Sequence, residues 1–295
     1  MKFDTVISFG TLREDITLPY DFSEGLEANE IKLEKCKKNI GGSVYNTSLF
    51  LSKEINKFEV SYITRKFSNL SKMSNKMRTI SSNIEYKQSP LSLIGVKEDG
   101  DKKIISYDPE YRDDDFWEKI GQNIGDNILL YTSLYELSYD EESKWNTVIK
   151  NGKKDYCFSF FLDLCPLINR DNTELYKKIL KYTDTISGNI CEYKFLLDCL
   201  ELKNIEELFY AYPNLISIWE KRGENGAAVY YRERDVIRCY SRDVKKICAI
   251  NTTGCGDVFN GAVIAGLYNK WNYRQILDIA IDTSAKVAEN GLPWL

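Results

Sequence analysis

The chain has 295 residues, 43% hydrophobic and 28% charged, enough to bury one full-sized core, as one large α/β domain or one domain plus an appendage, either expected before two independent domains. A net charge of −4 without a strongly basic half argues against nucleic acid as the main partner, and no apolar run approaches the roughly 20 residues that cross a bilayer. Histidine is absent, which excludes imidazole catalysis, histidine metal sites and a His-based triad, so any general base must be a carboxylate, lysine, tyrosine or cysteine.

In chain order, "DTVISF" (4–9) reads as a first buried strand ending at Gly10. From Arg13 to Ile40 the pattern breaks into short polar pieces, and the cluster "KLEKCKKN" (32–39) reads as a solvated loop or strand face. "GGSVYNTSLFLSKEI" (41–55) predicts a helix, with Val44, Leu49, Phe50 and Leu51 on its apolar positions. Strand-like runs follow at 58–63, 79–86, 91–96 and 103–107. Most lack helices between them, so part of this region is expected in a small sheet outside the main one. The polar stretch 68–76 reads as a flexible loop.

From about residue 113 strands and helices alternate: strands at 127–132, 155–161, 184–187 and 214–219, helices at 140–150, 171–182 and 189–211. Such alternation predicts a parallel sheet with helices on both faces. "KRGENGAAVYY" (221–231) turns at its glycines into a hairpin whose second arm lies near "DVIRCYS", and helices at 255–269 and 273–290 follow. Eight scattered cysteines without a C-x-x-C pair, and an N-terminal stretch unlike a secretion signal, lead us to expect reduced thiols in a cytoplasmic protein.

The chemistry concentrates in "NTTGCGDVFNGAVIAGL" (251–267). A helix N-terminus carries amides without partners and a partial positive charge, and glycines let a ligand approach that backbone. Gly254, Cys255 and Gly256 can therefore cup a phosphoryl group, with Asp257 beside it to take a proton from an attacking hydroxyl. A second reading of the same residues is a glycine turn capped by Thr253, with Asp257 complementing the helix dipole.

This stretch resembles the C-terminal signature of the PfkB (ribokinase-like) carbohydrate kinase family, commonly D-T-x-G-A-G-D-x-F-x-[AG]-G. Other landmarks follow in family order. Gly10 with Asp15 is similar to G-x-x-x-x-D, and Gly41-Gly42 with Asn46 to G-G-x-x-x-N. "DLCP" (163–166) is a weakened D-x-N-P, Asn189 with Glu192 resembles N-x-x-E, and "KRGENGA" (221–227) resembles [TS]-x-G-x-x-G-A. The matches span about residues 4 to 291.

The resemblance implies a ribokinase-like three-layer α/β/α sandwich with a mostly parallel central sheet. Residues 1–295 would form one domain, with a small β-sheet lid from about 13–40 and 79–107. It implies ATP- and Mg2+-dependent phosphorylation of an alcohol on a sugar or sugar-like molecule, with a monovalent cation as a further candidate. Asp257 would be the base and Gly254, Cys255 and Gly256 the anion hole. Asp15, Gly41, Gly42 and Asn46 would hold the substrate, and Asn189, Arg222, Gly223, Gly226, Thr252 and Thr253 the nucleotide; Glu192 would organise the metal through water. A nucleoside kinase and a non-catalytic sugar- or nucleotide-binding member are the alternatives, and a homodimer through the lid is compatible with either. No nucleic-acid or membrane partner is implied.

Local readings stand beside these roles. Asn189 and Glu192 have the spacing of a capping box, and Gly223 and Gly226 that of a hairpin turn. The family's second glycine segment, G-x-x-G-x-D, is missing: "YITRKFSNLSKMSN" (62–75) stands there. Asn251 replaces an acid, Cys255 an alanine and Cys165 an asparagine, and the tail "AENGLPWL" is short.

Overall fold

The computed structural model describes residues 3–18, 36–54, 59–68, 77–96, 102–111, 115–138, 142–166 and 172–292. In chain order its strands are β1 (Thr5–Phe9), β2 (Arg13–Leu18), β3 (Lys37–Gly41), β4 (Glu59–Phe67), β5 (Arg78–Tyr86), β6 (Leu91–Val96), β7 (Lys102–Tyr107), β8 (Ile128–Ser133), β9 (Ser159–Asp163), β10 (Thr185–Asn189), β11 (Ser217–Lys221), β12 (Ala227–Glu233) and β13 (Val236–Arg242). The helices are α1 (Ser43–Glu54), α2 (Phe116–Asn123), α3 (Leu134–Ser138), α4 (Glu142–Asp155), α5 (Thr173–Leu180), α6 (Ile190–Leu200), α7 (Ile205–Ala211), α8 (Cys255–Tyr268) and α9 (Tyr273–Asn290).

Among the described residues the strands form a large sheet in the order β13-β12-β11-β10-β9-β8-β1-β4-β5 and a small one in the order β3-β2-β6-β7. From β11 to β5 the large sheet is parallel, and β12 and β13 close one edge as an antiparallel meander. Successive strand residues point to opposite faces, and this splits the core in two. Val6, Leu129, Tyr131, Phe161 and Trp219 pack with α1, α8 and α9. Their neighbours Ile7, Leu130, Phe160, Leu162 and Ile218 pack with α2 to α7. A parallel sheet covered on both sides needs apolar residues at every position, which is why these strands read as continuous apolar runs. Phe160 and Phe161 on β9 are each wholly buried, one per face, and each stabilises the fold by about 1.5–3 kcal/mol.

Three expectations need correction. The run at 79–86, expected in the lid, is β5 and pairs in parallel with β4 in the large sheet; pairing covers the edge that β4 would otherwise expose, and a period-2 pattern does not say which sheet a strand joins. The helix expected over 189–211 is two, because α6 stops at Glu201 in the left-handed region (φ 58°) and Asn204 caps α7. The strand expected from 155 starts at Ser159, since α4 runs on to Asp155. The polar pieces at 13–40 include β2 and β3, and α2 is an addition to the sequence reading. The loop reading for 68–76 lies outside the described residues beyond Ser68, as do lid positions 19–35, the start of the basic cluster and tail positions 293–295. No helix among the described residues is long and apolar enough to cross a membrane.

The small sheet is pinned at its base by α3. Buried Glu136 accepts the Thr11 N–H at 2.9 Å and the Thr11 hydroxyl at 2.7 Å, which fixes the link from β1 to β2. Burial pushes the Glu136 carboxyl above its usual range against these hydrogen bonds. The Arg13 guanidinium donates to Asp108 at 2.8 Å, Ser92 at 3.0 Å and Tyr135 at 3.0 Å, joining the ends of β2, β6 and β7 to the same helix.

Candidate active site

The strand order reverses at β1, which lies between β8 and β4, and in open α/β sheets ligands bind beyond the carboxyl ends of strands at such a reversal. Gly41-Gly42 leads into α1 at this end. A Cβ on Gly41 would fall 1.7 Å from Asp15 Oδ2, so the Asp15 carboxylate on β2 lies directly over the Gly41 backbone. Two expected substrate contacts thus come together through the β2–β3 pairing.

Helix α8 begins after Gly254, whose φ of 80° and lack of a side chain leave no side-chain cap over the first amides. Upstream, Asn251 Oδ1 accepts the Thr253 N–H at 2.8 Å, so the residue standing in for the family's acid holds the turn. The Cys255 N–H turns onto the Thr252 carbonyl at 3.3 Å, and Val258 N–H reaches Gly254 O at 2.9 Å. Of the three expected anion-hole residues, Cys255 therefore has its amide directed back into the turn.

Asp257 is gripped by α1. Its Oδ1 accepts from Ser43 Oγ at 2.7 Å, its Oδ2 from Asn46 Nδ2 at 2.8 Å, and its backbone carbonyl from Thr47 Oγ1 at 3.0 Å. Ser43, Asn46 and Thr47 stand at i, i+3 and i+4, one face of a helix. Both carboxylate oxygens are thereby oriented by donors on α1. Asn46 is buried and its Oδ1 has no hydrogen-bond partner; Thr253 Oγ1 is also buried without one. A buried acceptor left unmade costs about 1–3 kcal/mol, so both atoms suit a bound ligand.

A second group gathers where β9, β10 and β11 end. Lys221 Nζ donates to Asp163 Oδ1 at 2.8 Å, with the two side chains 17% and 8% exposed. Asn189, paired with Lys221 in the sheet register, caps α6 in a full capping box: Asn189 Oδ1 accepts the Glu192 N–H and Glu192 Oε2 accepts the Asn189 N–H. Burial pushes the Glu192 carboxyl up to about 7, with the Asp163 charge adding and Lys221 opposing. Burial also pulls the Lys221 ammonium down, but Asp163, Glu192 and Asp257 outweigh it and hold it above the ordinary lysine range. The ammonium lies 3.6 Å from where a Cβ on Gly256 would sit, against the first turn of α8.

A buried polar chain ties these elements together: Ser187 Oγ donates to Asn260 Oδ1 at 2.6 Å, Asn260 Nδ2 donates to Tyr131 Oη at 3.3 Å, and Tyr131 Oη lies 3.1 Å from Thr47 Oγ1. Arg222 is engaged instead by Glu220 at 2.7 Å and Tyr230 at 3.3 Å, Gly223 opens a short 3-10 turn (Gly223–Asn225), and Gly226 lies against the Arg242 carbonyl. Sequence reasoning assigned no role to Ser43, Thr47, Tyr131, Asp163, Lys221 or Asn260. Asn260 carried a signal, as the one strongly polar side chain in the buried run Val258–Leu267. Lys221 stands where the turn motif has threonine or serine. Where the second glycine segment would lie, β4 runs on to Phe67 and Arg65 is buried with its guanidinium 4.2 Å from the ring centroids of both Tyr111 and Phe116.

Among the described residues no three His, Cys, Asp or Glu side chains gather where a metal could sit. Magnesium, which keeps several waters and binds through one or two carboxylates plus phosphate oxygens, does not need such a cage.

Comparison with solved structures supports the same architecture. The chain is similar to the nucleoside kinase of Methanocaldococcus jannaschii, an archaeal member of the ribokinase family (16% identity, TM-score 0.69, covering 99% of this chain and 95% of that one). It is similar to phosphofructokinase-2 of Escherichia coli (13%, TM-score 0.74, 98% and 94%) and to ribokinase of Thermotoga maritima (17%, TM-score 0.68, 99% and 96%). At these identities the likeness establishes the fold: a mixed α/β architecture with a large, mostly parallel sheet and a small separate one. Comparison with curated protein sequences found no match. The sequence profile of the pfkB family carbohydrate kinases matches residues 8–292, and the chain belongs to that family.

Proposed function

We propose that this protein transfers the γ-phosphoryl group of ATP to an alcohol of a sugar or sugar-like molecule, with Asp257 as the general base. The observation that carries the reading is the setting of Asp257. Its carboxylate is held by Ser43 and Asn46 in the first turn of α8, directly after the uncapped Gly254, with the vacant acceptor Asn46 Oδ1 next to it. In this reading the substrate hydroxyl donates to Asp257 and a neighbouring hydroxyl donates to Asn46 Oδ1. Asp15, Gly41 and Gly42 line the substrate side.

The hydroxyl oxygen forms the new bond to phosphorus as the bond to the β,γ-bridging oxygen breaks; its proton passes to Asp257 and ADP leaves. The amides of Gly254 and Gly256 and the positive end of α8 stabilise the equatorial oxygens, the Cys255 N–H being turned onto Thr252. Asn189, Arg222, Gly223, Gly226, Thr252 and Thr253 form the nucleotide side, where Thr253 Oγ1 suits a phosphate contact. Magnesium, held through water by Glu192, would supply charge neutralisation at the phosphates. The small sheet closes over the acceptor and excludes water. Its strand β7 leaves Ile104, Ile105 and Tyr107 about half exposed, which supports a homodimer through this sheet. Eight cysteines with no disulfide among them fit the cytoplasm.

The test is ADP release from ATP and Mg2+ across ribose, fructose, fructoselysine, 2-keto-3-deoxygluconate and common nucleosides, with Asp257→Asn alongside. Turnover is expected with one acceptor, and the variant should lose about 10²- to 10⁴-fold in kcat while still binding ATP. Turnover confined to a nucleoside would move the substrate class. An active wild type with an equally active Asp257→Asn would reject the base, and a folded, ATP-binding protein silent on the whole panel would favour a non-catalytic binding role.

A further inference from the structure

We propose that Lys221 contacts the terminal phosphoryl group, exchanging its bond to Asp163 for one to the nucleotide; this rests on the kinase reading above. The ammonium stands between two parts of the site. On one side it donates to Asp163 at 2.8 Å; on the other it lies 3.6 Å from the Cβ position of Gly256, at the helix start where the phosphoryl group would be cupped. Three carboxylates act on it, those of Asp163, Glu192 and Asp257. A nucleotide phosphate entering so acidic a neighbourhood needs a positive partner. The amides give a limited one, since the Cys255 N–H is turned to Thr252 and Gly254 adds no side chain.

The residue type suits the exchange. Lysine is a point charge on a flexible four-carbon stem, with three donors that can serve a carboxylate and a phosphate in turn, whereas arginine is a rigid fork. Asp163, at the end of β9, would hold the ammonium in place until ATP arrives and so acts as a positioning residue. The competing account is structural: the Lys221–Asp163 pair clamps β11 to β9 across β10. The two accounts separate cleanly. A clamp has no preference among nucleotides, whereas a terminal-phosphoryl contact favours ATP over ADP.

The experiment is equilibrium binding of ATP and of ADP, with Mg2+ and no acceptor, to wild type, Lys221→Met, Lys221→Arg and the double variant Lys221→Met with Asp163→Asn. The double variant removes the buried carboxylate that the single change would strand, so it decides the question where Lys221→Met fails to fold. We expect the methionine variants to lose about 10- to 100-fold in ATP affinity while ADP affinity stays within about 3-fold, the size of one charge-assisted hydrogen bond. Lys221→Arg should keep part of the preference. Equal losses for ATP and ADP, or an unchanged ATP preference, would overturn the contact and leave the kinase reading standing. A wild type that binds neither nucleotide would overturn both.

Discussion

Glu192→Gln isolates the cost of a buried carboxylate beside Lys221 and Asp163. Glutamine keeps a side-chain oxygen for the Asn189 N–H, so the capping box survives the change. The charge does not. In the folded protein the Glu192 carboxyl titrates at about 7 instead of the ordinary 4.5, chiefly because burial penalises its ionised form. A raised carboxyl pKa means that the folded state binds the proton more tightly than the unfolded chain. The stability attached to that proton is present below about 4.5 and disappears as the pH rises through about 7. At about 1.36 kcal/mol per unit, ionisation costs the fold up to about 3 kcal/mol above pH 7.5. The glutamine variant never incurs this cost. In urea titrations of the ligand-free protein, Glu192→Gln should match wild type near pH 4.5 and exceed it by about 2–3 kcal/mol at pH 8. A stability difference that stays constant from pH 4.5 to 8 would refute the assignment of a raised pKa to Glu192. A variant less stable at pH 8 than at pH 4.5, relative to wild type, would reverse its sign.

Three further outcomes follow from the geometry. Gly41→Ala places a methyl 1.7 Å from Asp15 Oδ2, so the carboxylate must swing away; kcat/KM for the acceptor should fall about 10- to 100-fold, and unchanged acceptor kinetics would remove Asp15 from the substrate site. Gly226→Ala combines a φ of 78° with a Cβ 2.0 Å from the Arg242 carbonyl, and should destabilise the fold by about 1–3 kcal/mol in denaturant titrations; an unaltered midpoint would mean that β12 and β13 do not meet as described. Asn46→Asp sets a second carboxylate at the position that now donates to Asp257 at 2.8 Å. Like charges favour protonation, so the acidic limb of the pH–kcat profile should move to higher pH, and a limb that stays in place would separate Asp257 from proton transfer.

Much of the architecture was legible in the chain because it depends on short-range rules. A parallel strand covered on both faces must be apolar throughout, and α8 shows its start through the glycines at Gly254 and Gly256. The setting of Asp257 after a glycine turn, and Asn46 four residues beyond Gly42, were visible for the same reason. Asn189 and Glu192 show a local rule serving two ends, since their capping box also holds the Glu192 carboxylate within the influence of Lys221 and Asp163.

Local patterns in the chain thus set the order of elements and the residues that backbone chemistry places at helix starts. Tertiary structure alone decided who meets whom. Ser43 and Asn46 reach Asp257 across separations of 214 and 211 residues, and Lys221 finds Asp163 across 58. Which sheet takes β5 was likewise settled by the open edge of β4. Hydrophobic periods and caps act over one or two turns of chain, whereas these partnerships depend on strand register and on how α1 and α8 dock over the sheet, and no local pattern encodes either.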